Sequence, residues 1–156
     1  QEQNIDHRFA DGQADLAERL VEHGLARSSR MADAMTATEL ADILDPLLAA
    51  VMARGLDTDA LFDRGGEWLT ALLRDIPSRW VAREMRRVRH ANTQKSWSAT
   101  DLNDVNALSV AVPYCNVAVT ERQWVHHFKQ AGFHERFDTI LLSDLRELPS
   151  MLVNAA

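Results

Sequence analysis

The sequence predicts a predominantly helical α/β protein, with a helical first half and two short parallel strands late in the chain. Three observations carry this expectation. Apolar residues recur at helical spacing from residue 15 to residue 91. Two short apolar, strand-like runs follow Pro113, at residues 117–119 and 139–142. One amphipathic segment separates them, and strand, helix, strand of that length implies parallel strands joined by a right-handed crossover.

The elements follow in order. Leu16, Leu20 and Val21 lie on one face of a helix over residues 15–23, which Gly24 stops. Thr36 and Glu39 read as a T-x-x-E capping box ahead of Leu40, Ile43, Leu44, Leu47, Leu48 and Val51. That helix should end near Arg54 and Gly55, with a kink or break at Asp45 before Pro46. Residues 57–63 predict a short helix, Gly65 and Gly66 a loop or hinge, and residues 67–76 an amphipathic helix ended by Pro77. Ser78 is a good N-cap for a helix over 79–91. The polar run 92–98 is a loop, residues 101–111 a helix, 122–131 the crossover helix, and 143–153 a short closing helix broken by Pro149. The chain divides into a helical subdomain or insertion, 1–76, and an α/β part, 77–156, or forms one continuous domain.

With 156 residues and 46% apolar content, the chain is long enough to bury a substantial core. No run approaches the roughly 18 apolar residues of a membrane span. Residues 1–14 lack the basic start and apolar centre of a signal peptide, so a cytoplasmic protein is expected. Cys115 is the only cysteine, which excludes an internal disulfide and a thiolate zinc site. The net charge of −6 is unevenly spread. Residues 1–76 hold 15 acidic and 7 basic side chains, whereas residues 77–156 hold 8 and 10. A basic second half can serve an anionic ligand although the whole chain is acidic.

Turned at about 100° per residue, the segment 79–91 places Trp80, Val81, Met85 and Val88 on one stripe and Arg79, Arg83, Arg86, Arg87 and His90 opposite. Glu84 projects with the apolar stripe and needs an arginine, backbone donors or a metal ion as partner. Asp101 and Asp104, three residues apart, share one side of a helix start. That spacing is ordinary capping chemistry as much as half of a metal site. Glu121 directly follows the first strand, the place where α/β folds gather ligands. Carboxylates converging there would favour a hard cation such as Mg²⁺ or Mn²⁺. His126 and His127 are adjacent and cannot act as an i, i+4 metal pair.

The run D-L-N-D-V-N-A-L-S-V-A-V-P-Y-C-N-V-A-V-T-E-R, with the following helix, second strand and L-R-E-L-P turn, resembles the C-terminal half of a PIN-like nuclease domain over roughly residues 78–152. The resemblance implies a Mg²⁺- or Mn²⁺-dependent endoribonuclease acting on RNA, with Asp101 or Asp104 as the ligand at the helix start, Glu121 as the acid after the strand, and Glu84 as a further acid. Arg79, Arg83, Arg86, Arg87 and Lys95 would contact phosphates, and Trp97 could stack on a base. Two departures stand out. The family's opening strand with its aspartate has no counterpart ahead of the first helices, and Asn116 stands where Asp is expected. The rival expectation is a non-catalytic helical binding module for protein or nucleic acid, in which these acids only cap, with a protein partner or a homo-oligomer also open.

Overall fold

The structure is a computed structural model that describes residues 2–26, 28, 30–92 and 96–149. Helices dominate: α1 (Glu2–Glu22), α2 (Met31–Asp42), α3 (Leu44–Ala53), α4 (Asp59–Phe62), α5 (Gly65–Arg74), α6 (Pro77–Ala91) and α7 (Ala99–Tyr114). β1 (Val117–Val119), α8 (Arg122–Gln130), α9 (Phe133–Arg136), β2 (Ile140–Leu142) and a 3-10 turn (Leu145–Glu147) follow. β1 and β2 pair in parallel, with Val117 opposite Ile140 and Val119 opposite Leu142, so the expected crossover through α8 is present. None of the described helices is long and apolar enough to cross a membrane.

Local chemistry accounts for most boundaries. Pro46 has no N–H to give to the preceding turn, and the helical run breaks at Ile43, three residues earlier, into α2 and α3. Gly55, at φ 67°, takes the left-handed turn that closes α3. Pro77 occupies the first turn of α6, where its fixed φ suits a helix start, so Ile76 and not Ser78 flanks the helix. Gly132, at φ 70°, lets the chain leave α8 and enter α9, a short helix that the sequence did not suggest. Residues 145–147 form a 3-10 turn that leads into helical residues 148–149, and residues 150–153 of the expected closing helix lie outside the described residues.

α6 lies at the centre, packed on α7 on one side and on α2 and α5 on another, while α1 lies across α7. The main core joins Val81 and Met85 of α6, Val105, Leu108 and Val112 of α7, Ala118 of β1, Trp124 and Phe128 of α8, and Leu141 of β2. A smaller cluster of Leu20, Met31 and Met35 joins α1 to α2. Val105, Leu108 and Val112 follow the i, i+3, i+7 spacing that aims them at one face.

The arginine face of α6 is not a solvated face. Arg83 and Arg86 are buried against α2. Arg83 donates through Nε to Thr36 Oγ1 at 2.8 Å and through Nη2 to the Ala32 carbonyl at 3.0 Å. Arg86 Nη1 lies 3.0 Å from both Glu39 Oε1 and Asp42 Oδ2, and Arg79 Nη1 lies 3.4 Å from Glu39 Oε2. Thr36 and Glu39 are therefore not a capping box. α2 begins five residues before Thr36, and both side chains sit in its interior, facing α6. A buried carboxylate between Arg79 and Arg86 meets the same need as a cap, a partner for a polar group removed from water.

Candidate functional site

Asp101 is tied down rather than open. With Ser98 as its N-cap, α7 starts two residues earlier than the sequence suggested, which makes Asp101 the third helical residue. Its Oδ2 accepts from the Ser98 N–H at 2.7 Å and from the Ser98 hydroxyl at 2.8 Å, the carboxylate half of a capping box. Arg89 clasps the same group in two-point fashion, Nε to Oδ1 at 3.0 Å and Nη2 to Oδ2 at 2.8 Å. Burial disfavours the charged form, but the hydrogen bonds from Arg89 and Ser98 outweigh it and hold the carboxyl below the usual aspartate range. Arg89 Nη2 also donates to the Ser96 carbonyl at 2.6 Å, which joins the loop to α6. Asp101→Ala should therefore lower stability by about 2 kcal/mol through the lost cap and the lost two-point contact with Arg89. A denaturant midpoint unchanged from the native protein would refute that role.

The other candidate acids are placed as follows. Glu84 receives Arg87 on both oxygens, Nη2 to Oε1 at 2.5 Å and Nε to Oε2 at 2.9 Å. The arginine it needed as an inward carboxylate is thus supplied one turn along the same helix. Asp104 is partly exposed on the second turn of α7. Glu121 follows β1, flanks the start of α8, is exposed, and accepts from Gln123 Nε2 at 2.7 Å. Asn116 precedes β1, and its carbonyl accepts from the Ile140 N–H at 2.9 Å, so it stands at the opposite end of the strand from Glu121. It does not join the acids.

A divalent cation needs several oxygens with lone pairs turned to one point. Both oxygens of Asp101 and both of Glu84 already accept from arginine, and among the described residues no group of three or more His, Cys, Asp or Glu could hold a metal ion. The donors as arranged here do not fit a bound Mg²⁺ or Mn²⁺.

The expected nucleic-acid contacts divide in a similar way. Arg79, Arg83 and Arg86 face α2, as described above, and Lys95 lies outside the described residues. Trp97 is half-buried, with its ring 4.9 Å from His90, 5.7 Å edge-on from Phe9 and beneath the Arg89 guanidinium, so it anchors the loop to α1 and α6. Arg79, with 34% of its side chain exposed, and the buried Arg86 line a smaller cleft between α6 and α7, whereas Arg87, at 38%, borders one beside α8.

That cleft, about 530 Å³, runs between the end of α6, the start of α7 and one face of α8. Trp124, Val125 and Phe128 of α8 turn into the core. Gln123, His127 and Gln130, at i, i+4 and i+7, form the stripe that borders the cleft opposite Arg87 and Ala91. Trp124 also lines it, and its buried indole Nε1 has no hydrogen-bond partner. His127 is held below the usual histidine value by partial burial and by His126 beside it, so its ring is neutral at pH 7. Arg87 is kept charged by Glu84. The wall thus offers a fixed cation, two amides and an imidazole. Gln123, His127 and Gln130 carry no motif that marks them for such a role, and their helical spacing is the one signal in the sequence that points to it.

The chain matches no protein-family model, and no curated protein or solved structure is significantly similar to it.

Proposed function

We propose that this chain is a binding module for single-stranded RNA, built on a PIN-like frame, that engages its ligand in the cleft between α6, α7 and α8. The observation that carries the reading is the polar stripe Gln123, His127 and Gln130 facing the partly exposed Arg87. Amides present a donor and an acceptor side by side and suit base edges, a neutral imidazole adds a hydrogen bond, and a fixed guanidinium suits phosphate. The carboxylates have structural duties: Asp101 caps α7 and pairs with Arg89, and Glu84 orients Arg87.

The test is fluorescence anisotropy with a labelled single-stranded oligoribonucleotide at fixed salt. Arg87→Gln combined with Gln130→Ala should weaken binding about tenfold, on the order of one charge-assisted contact and one amide contact. Equal affinity for the variant and the native protein would overturn this placement, and no binding at all would overturn the RNA reading.

A second reading, a metal-dependent endoribonuclease using Mg²⁺ or Mn²⁺, is favoured by one observation. Glu121 follows the first strand of a parallel β1–α8–β2 unit that packs on α7. From Asn116 to Glu121 an extended chain spans about 16 Å, and Asp104 lies about 15 Å back along α7 from Tyr114, so the two acids are at about the same height if strand and helix run side by side. This reading requires further oxygen ligands beyond those that the described residues gather. Mn²⁺ titration decides between the two. A thermal midpoint that rises with metal concentration, and RNA cleavage that EDTA stops, would favour the enzyme. A midpoint that stays flat, with RNA still bound, supports the module.

A further inference from the structure

We infer that the groove between α2 and α5, continued by the apolar helix α3, is the docking surface for a basic amphipathic helix of a partner protein. The groove measures about 720 Å³. Ala37 and Leu40 of α2 and Leu69 of α5 give it apolar walls, and the exposed acids Asp33 and Glu67 line it as well. It shares no lining residue with the cleft beside α8. α3 carries the second observation. Eight of its ten residues are apolar, yet none of them is buried. Leu44, Leu47, Leu48 and Val51, at i, i+3, i+4 and i+7, make the stripe that a helix turns to a partner, and each is only half-buried. Met52 and Leu56, at its end, are 68% and 59% exposed. Leu44 comes four residues after Leu40, so the open apolar surface runs on from the groove, and such a surface marks an interaction site.

Charge decides what covers it. Between residues 43 and 67 stand five acids, Asp45, Asp57, Asp59, Asp63 and Glu67, against two cations, Arg54 and Arg64. All five acids are exposed, and none forms an ion pair with a described residue. Asp45, Asp57 and Asp63 directly follow the apolar Leu44, Leu56 and Phe62, so the acids rim the apolar surface along its length. A second copy of the chain would set acid against acid across a two-fold contact. RNA or an anionic lipid surface would be repelled in the same way. A helix with leucine-type anchors and flanking lysines or arginines meets both demands. Its apolar stripe fills the groove and covers α3, and its cations face the acidic rim.

Fluorescence anisotropy of the full chain at fixed salt tests the inference with a labelled synthetic helix of about 14 residues, leucines at i, i+3, i+4 and i+7 and lysines elsewhere. This peptide should bind saturably. A peptide of the same composition with its leucines scattered off one face should bind about tenfold more weakly, and so should the striped peptide with glutamate in place of lysine. Ala37→Gln, which fills the groove from an exposed position, should weaken the striped lysine peptide about tenfold, and Glu67→Lys about threefold. Binding that does not saturate, equal affinity for the striped and scattered peptides, or affinity indifferent to Ala37→Gln or to Glu67→Lys would each overturn the assignment. So would a dimer in sedimentation equilibrium that Ala37→Gln dissociates, since it would give the groove to a second copy of the chain.

Discussion

Replacing Glu39 with alanine should cost about 3–5 kcal/mol of folding stability, the largest single effect expected in this protein. Glu39 has no exposed surface and stands between Arg79 and Arg86 at the junction of α2 and α6. Burial opposes its charge and raises its carboxyl above the usual glutamate value, against the pull of Arg86 and Arg79. The 3.0 Å approach of Arg86 lacks hydrogen-bond alignment, since Oε1 and Arg86 Nε have no hydrogen-bond partner, so the pair holds chiefly through charge. Removing the carboxylate leaves Arg86, 7% exposed, with Asp42 as its remaining ion-pair partner among the described residues. The partner matters more than the pair, because swapping both charges for apolar groups of similar volume is often neutral. Glu39→Leu combined with Arg86→Met should therefore recover most of the loss. Urea unfolding of the two single variants and the double variant measures this, and additive losses would show that the two side chains are not coupled.

Stability should also fall by about 3 kcal/mol on His90's account as pH drops from neutral to 4. The folded-state value of His90 is lowered from 6.5 to about 4, by burial first and then by Arg86 and Arg89. Between those values the unfolded chain binds a proton that the folded chain refuses, so stability rises with pH across the window and is lost as pH falls through it. Below about pH 4 both states carry the proton and the dependence ends. Two other groups act elsewhere on the scale. Glu39, with its raised value, favours the folded state most below 4.5 and less as pH rises above it. Asp101, with its lowered value, contributes stability present above 3.8 that is lost as pH falls through that point and below. The comparison of interest is thus native protein against His90→Gln between pH 7 and 4, where the stability difference between the two should change by about 3 kcal/mol. Parallel stability curves would show that His90 does not titrate as described.

The two predictions concern residues that the sequence presents in a misleading way. Thr36 and Glu39 have the spacing of a capping box, and Arg79, Arg83 and Arg86 the spacing of a solvated basic face. Each pattern is the complement of the other, and neither shows it alone, because helix periodicity reports which residues share a face and not what covers that face. Glu84 was legible as an inward carboxylate in need of a partner, but Arg87 was not legible as that partner. Asp101 and Asp104 were legible as helix-start acids. That Asp101 caps depended on Ser98 starting α7 two residues early and on Arg89 reaching across from α6.

By itself the sequence determined the helical first half, the two strand positions, the parallel crossover through α8 and the breaks at Pro46 and Gly55. These follow from local rules, apolar periodicity, missing N–H groups and left-handed glycines, that act over a few residues. Only the tertiary structure decided the roles of the charges. A carboxylate or guanidinium is satisfied by whatever opposite charge lies within a few ångströms, and for Glu39 with Arg79 and Arg86, and Asp101 with Arg89, those neighbours come from 12 to 47 residues away along the chain.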